Sequence, residues 1–306
     1  MKKLYRETAK TIDEQIAIMQ TRGIVINNEA KAKKYLSNIG YYRMGFYIHP
    51  FEVTSLRLGR NKRHEVRPGT KIEEIVALYY YDFDLRTILN RYLSIIEVSI
   101  RSTIIYELSI KYKYDTTWFV SPNVMKSDFI ASFNREVYVH LRGKPNIKHH
   151  HDIYYGNYAP AWKTIEFMTI GNLEVLYSKL RWDADKKLIS KRYNELAIAT
   201  FKSYLSAVRE VRNACAHSSV LFNLRLSSGI LSGAACPYFV PGSAENQIFA
   251  GALRVIDYMI RQISVNRANE MWKELYMVTK RLYSIVPSIR QYIERNTGIF
   301  LPSETK

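Results

Sequence analysis

Along most of this chain apolar residues return at steps of three and four, the spacing of helices that cover one face. The first helix is predicted over about residues 8–21, with Gly23 placed to end it. Asn27 or Asn28 can cap a second, which runs through KAKKYL and stops at Gly40. The aromatic stretch YYRMGFYIHPFEV reads as a short helix or turn packed under the fold. The segment SLRLGRNKRHEVRPG (55–69) reads as a basic loop closed by Pro68-Gly69.

Thr70 and Glu73 form a capping-box signature that opens the longest periodic stretch, Ile72 to about Lys113. Leu78, Leu85, Leu89, Tyr92, Ile96, Ile100, Ile104 and Leu108 share its apolar side, while Arg86, Asn90, Ser94, Glu97 and Arg101 recur as a polar stripe. A long loop is expected near 121–160, which holds Pro122, Lys144-Pro145 and the run KHHHD at 148–152. Helices are predicted again at 161–181, 183–192 and 195–216. Glycines and prolines punctuate 227–247, after which helices at 246–264 and 266–283 precede a short one opened by Pro287. The fold class is therefore all-α. An N-terminal helical and basic region (1–69) is expected to pack on a core (70–225), with C-terminal helices (226–306) completing one integrated unit.

Composition adds a partner. The apolar fraction, 47% of 306 residues, allows a sizeable core. Forty-five Lys and Arg against 28 Asp and Glu leave a net charge of +17, far more than solubility requires. A polyanion explains that excess through phosphate neutralisation and counterion release. The basic residues are spread through folded-looking sequence instead of forming one polybasic segment, which favours nucleic acid over an anionic membrane. Cys215 and Cys236 have no CxxC-type partner and are expected to be buried free thiols. No apolar run approaches a bilayer's span and the N-terminus has no apolar core, so the chain is expected to be cytoplasmic.

Candidate chemistry centres on R-N-A-C-A-H, Arg212 to His217. An Arg and a His separated by four to six residues is a weak signal by itself. With 23 Arg and 7 His, chance supplies about 1.6 such pairs. Five occur: Arg43/His49, Arg57/His64, Arg135/His140, Arg142/His149 and Arg212/His217. Glycines or prolines interrupt the first, second and fourth. Arg135/His140 remains a rival. Arg212 is distinguished by the Asn that follows it and by its place in the series Phe201, Leu205, Val208, Arg212, Cys215, which puts it on an apolar stripe. A guanidinium there needs a partner or a cleft. Two readings stay open: an Arg that snorkels from the stripe or pairs with Glu97, and an Arg that serves a site. Positions five apart on a helix are splayed by about 140°. Either the helix ends between Arg212 and His217, as Ser218-Ser219 would suit, or the site spans two helices or two copies. A two-fold homodimer is expected.

Several stretches together resemble the Abi-type abortive-infection proteins of the AbiD/AbiF group, which are similar to HEPN ribonucleases. They are QTRGIVI (20–26), IGYYRMGFYIHPF (39–51), PGTKIEEIVALYYYDFDLRTILNRYLSIIEVSIRS (68–102), PAWKTIEFMTIGNLEVLYSKL (160–180) and VRNACAHSSVLFN (211–223). Ser218 departs from a second His common in that group. The resemblance implies a HEPN-like helical bundle with an N-terminal helical extension and a C-terminal helical cap. It also implies metal-independent cleavage of RNA in phage defence, with no cofactor. In that scheme Arg212 stabilises phosphoryl charge, His217 is general acid or base and Asn213 positions one of them, supported by Glu97 and Arg101. Arg57, Arg60, Lys62, Arg63, Arg67 and Lys148 become candidate RNA contacts, and a bound non-coding RNA becomes a candidate regulator. The consecutive histidines 149–151 cannot all converge on one ion and are read as part of a basic loop, so no metal site is expected. The alternatives are an inactive RNA-binding scaffold, a toxin module held by an antitoxin, and a DNA-binding regulator.

Overall fold

Every regular element among the described residues is helical, and extended backbone occurs only as isolated bridges. The structure, a computed structural model, describes residues 8–53, 64–237 and 244–302. In chain order the helices are α1 (Ile12–Thr21), α2 (Glu29–Ile39), α3 (Tyr41–Ile48), α4 (Ile72–Lys111), α5 (Ser127–Phe133), α6 (Val139–Leu141) and α7 (Pro145–Ile153). There follow α8 (Ala161–Thr164), α9 (Ile170–Lys179), α10 (Asp183–Lys191), α11 (Ile198–Ala216), α12 (Phe249–Ile263), α13 (Val265–Ile285) and α14 (Arg290–Thr297). None of them is long and apolar enough to cross a membrane.

The chain divides into two compact units. The first contains the described residues up to Leu85, Leu275–Arg295 and those from Ile299. In it α1 is held by a reciprocal cap: the Glu14 N–H donates to Thr11 Oγ1 at 3.3 Å and the Thr11 N–H to Glu14 Oε2 at 2.7 Å. Asn28 caps α2, and Gly40, at φ 85°, supplies the left-handed turn that starts α3 at once. The cap of α4 lies one residue later than the T-x-x-E spacing predicts. The Arg67 carbonyl engages both the Thr70 hydroxyl, at 2.7 Å, and its N–H, at 3.2 Å, in the Pro68-Gly69 turn. Glu74 instead reaches back to the Lys71 N–H at 2.8 Å.

The second unit contains Arg86–Glu274 and Asn296–Gly298. Leu89, Leu93, Ile96, Ile100, Ile104 and Leu108 of α4 are completely buried in a row with steps of mostly four. Each step of four advances about 40° around a helix, so the covered face turns slowly along its length. The stripe read as polar is accordingly not one solvated face: Asn90 and Ser94 are exposed, while Arg86 is buried and Glu97 and Arg101 are largely covered. At the end of α4 the fully buried Asp185 of α10 accepts from Lys111 and, at 2.9 Å, from the Tyr112 hydroxyl. α11 packs against α9, α10 and α12.

The loop expected over 121–160 is largely helical. Phe129, Phe133, Tyr138, Leu141 and Ile147 are buried, and rings of Phe119, Phe133, Tyr138 and Tyr158 pack edge-on or tilted beneath α7. A wide turn, Asn134–Tyr138, joins α5 to α6 and spreads the apolar positions out of the usual helical spacing. Pro145 opens α7 at its first position, where a missing N–H is harmless, instead of breaking it. Cys236 is buried as expected, but Cys215 is only half-buried.

Leu93→Ala removes a fully buried side chain at the middle of the α4 row. It should lower the unfolding free energy by about 2–5 kcal/mol, read from urea denaturation.

Candidate active site

α11 covers Phe201, Tyr204, Leu205, Ala207, Val208, Val211 and Ala214. The covered face thus passes through Val211 and Ala214 and leaves Arg212 at its edge, with about a third of its side chain exposed. The stripe read through Arg212 and Cys215 is corrected by this drift: a series of fours and threes can be closed by either of two neighbouring positions, and packing selected Val211.

Arg212 has the partner that its position demands. Its Nε lies 3.5 Å from Glu97 Oε2, and the other oxygen of the same carboxylate accepts from Arg101 Nη2 at 2.9 Å. Arg101 also donates to the Met168 carbonyl at 3.0 Å. The side chains of Glu97 and Arg101 are only 14% and 11% exposed, so this is not the solvated pair that i,i+4 spacing suggests. Two guanidiniums face one carboxylate, and the buried Arg101 Nε has no acceptor among the described residues. The contact to Arg212 is longer than a good hydrogen bond and runs through Nε, so the outer fork of the guanidinium can donate elsewhere. Arg209, one turn before Arg212, pairs with Glu174 and reaches Ser206 Oγ at 3.2 Å. In the sequence only its i,i+3 relation to Arg212 marks Arg209, because its partner Glu174 is distant in the chain.

The helix ends between Arg212 and His217. Ala216 is the last helical residue, His217 the C-cap and Ser218, at φ 56°, the left-handed residue that follows. The Ser219 N–H donates to the Ala214 carbonyl at 2.9 Å and the Ser218 N–H to that of Cys215 at 3.4 Å, the pairing of a Schellman terminus. The buried Arg86 donates from Nη1 to the Ser219 carbonyl at 3.0 Å and holds the turn from the outside. Asn213 is half-buried, whereas His217 is exposed on the cap.

The other candidates are scattered. Arg135 is 79% exposed and pairs with its neighbour Glu136, and His140 is exposed, so the rival pair has no covered charge cluster behind it. Arg67 donates to the carbonyls of Pro50 and Ser288 at 3.1 and 3.3 Å, a structural use of its guanidinium. Arg57, Arg60, Lys62 and Arg63 lie outside the described residues. Lys148 is exposed on α7, as is His149; the histidine run is helical, not a loop. Among the described residues no group of three His, Cys, Asp or Glu is arranged to hold a metal ion.

A family model described as Abi-like protein matches residues 34–223, and the chain belongs to that family. The matched segment includes both α4 and the R-N-A-C-A-H end of α11. No curated protein and no solved structure matches the chain.

Glu97→Ala leaves two covered guanidiniums without their shared anion. The unfolding free energy should fall by about 3 kcal/mol, and Arg101→Met in the same protein should recover part of that loss in chemical denaturation. The two thiols should also separate. Burial, only partly opposed by Arg254, pushes the Cys236 thiol up to about 11. At pH 8 iodoacetamide should therefore label Cys215 and spare Cys236 in the folded protein, as judged by peptide mass spectrometry.

Proposed function

We propose that this member of the Abi-like family acts in abortive infection, a form of phage defence, as a HEPN-type endoribonuclease that cleaves RNA without a metal ion. The observation that carries this reading is the place of Arg212, about a third exposed, with its Nε 3.5 Å from the covered carboxylate of Glu97. That is how a guanidinium is pre-set for phosphoryl oxygens: its orientation is fixed before the substrate arrives, so less ordering is lost on binding.

In the reaction a ribose 2′-hydroxyl attacks the adjacent phosphorus. A base takes the hydroxyl proton, the bond from phosphorus to O5′ breaks, and an acid protonates O5′. The products are a 2′,3′-cyclic phosphate and a 5′-hydroxyl, and DNA cannot react for want of the attacking group. Arg212 neutralises charge that grows on the non-bridging oxygens, and Asn213 positions its neighbours or a phosphate oxygen. His217, exposed at the helix cap, exchanges protons with the substrate. One chain supplies one such histidine where the reaction uses both an acid and a base. A two-fold homodimer brings a second copy and completes the site. Glu97 and Arg101 are positioning residues. Lys148 extends the contact along RNA, and the sequence's basic excess, to which Arg57, Arg60, Lys62 and Arg63 add, suits a polyanion longer than one scissile phosphate. A bound non-coding RNA that controls the enzyme belongs to the same proposal.

Purified protein in EDTA should cleave RNA and leave cyclic phosphate ends. Arg212→Ala and His217→Ala should each lower the cleavage rate by about a hundredfold or more. Both should abolish toxicity in cells, while RNA affinity changes far less. Cleavage or toxicity that survives both substitutions would overturn the active-site assignment. RNA binding with steep salt dependence and no cleavage would favour the inactive scaffold instead.

A further inference from the structure

The surface around α7 is basic, with Glu136 and Glu166 at its two borders. From Val137 to Ile165 there are four Lys or Arg (Arg142, Lys144, Lys148, Lys163), four of the seven histidines and a single acid, Asp152. In the same stretch Ile153, Tyr154, Tyr155 and Trp162 leave about half or more of their area in solvent. Large apolar side chains exposed together among cations have a cost that a protein surface usually avoids.

Their arrangement is built. α7 is anchored from below, where Ile147 is completely buried and His151 Nε2 shares a 2.7 Å hydrogen bond with the Tyr138 hydroxyl, which also accepts the Ala159 N–H. On the flank of α7 that meets α8, the His150 and Tyr154 rings stack with centroids 5.0 Å apart and planes 29° from parallel. Lys163 of α8 lies close enough to His150 to act on its charge, and Lys144, at the start of α7, sits 5.9 Å over the ring of Phe167, three residues past α8. Tyr154 is 58% exposed, so one side of the stack remains open.

We propose that the seam between α7 and α8 is a stacking platform for unpaired RNA bases, with the His150–Tyr154 stack as its floor and Lys144 and Lys163 as the cations that take the flanking phosphates. This rests on the reading that RNA is the polyanion the chain binds, and adds where and in which form the strand is held. An unpaired strand offers both features that the seam answers, free base faces and a charged backbone, whereas a duplex hides its faces. A protein partner would have to bring both an apolar surface for the rings and acids for the lysines, whereas a strand carries both in every nucleotide. Burial lowers the pKa of His150, and Lys163 and His151 lower it further, so at neutral pH this ring is an uncharged face and the lysines supply the charge.

The test measures binding of two labelled RNAs, an unstructured 12-mer and a hairpin without unpaired overhangs, to full-length protein carrying Arg212→Ala to limit cleavage. Adding His150→Ala with Tyr154→Ala should weaken the 12-mer about fivefold or more and leave its salt slope and the hairpin affinity unchanged. Tyr154→Phe should keep the 12-mer affinity, because it retains the ring. Lys144→Ala with Lys163→Ala should instead make the salt slope shallower by about 0.7 per cation. Thermal melting checks each variant's fold. Equal 12-mer affinity before and after the aromatic substitutions overturns the platform and leaves the ribonuclease reading intact. Failure of the parent protein to bind either RNA overturns both.

Discussion

One carboxylate sets the electrostatics of the molecule's best-defined polar cluster. Glu97 of α4 holds Arg101 with one oxygen and faces Arg212 of α11 with the other, and all three side chains are at least two-thirds covered. Removing one unit of negative charge and two of positive from water is costly, and their mutual attraction returns that cost only if every polar atom is matched. Here the match is incomplete. The cluster keeps a net positive charge, the Arg101 Nε lacks an acceptor among the described residues and the Arg212 contact is long.

The end of α11 lies one turn beyond Arg212. With Arg212 held against α4, the chain has one further helical turn before it stops, and the stop is enforced by two Schellman hydrogen bonds and by Arg86 on the Ser219 carbonyl. Ser218 accepts a left-handed backbone that glycine would take more readily. The result is a histidine displayed on a helix cap instead of packed along a helix face. An ideal helix continued through His217 would have turned the imidazole well away from Arg212; ending it leaves the imidazole on the exposed cap.

Legibility in the sequence followed how local each cause was. Thr11 with Glu14 and Asn28 with Lys31 are caps made within one turn, and such spacing is readable. Thr70 has the same pattern with Glu73, yet the preceding turn claims its hydroxyl, a competition that spacing does not record. In 121–160 Pro and Gly signal a loop, and the scattered aromatics show no helical period. Those aromatics are buried against one another across short helices that no single periodic window captures. Arg209 was overlooked because its partner, Glu174, lies thirty-five residues away.

What the sequence alone determined is what periodicity, composition and short motifs carry: an all-α chain, a strong basic excess, and an Arg-Asn-…-His cluster near the end of a patterned helix, within stretches that resemble one family. It even named Glu97 as a partner that Arg212 could have. Only the tertiary structure decided that the pair forms, that Glu97 and Arg101 are covered instead of solvated, and that Arg212 sits at the rim of the stripe and not within it. The physical reason is that a helical repeat reports that a face is covered, not which neighbour covers it. Whether a charged side chain stands in solvent or is covered beside a partner is settled by that neighbour.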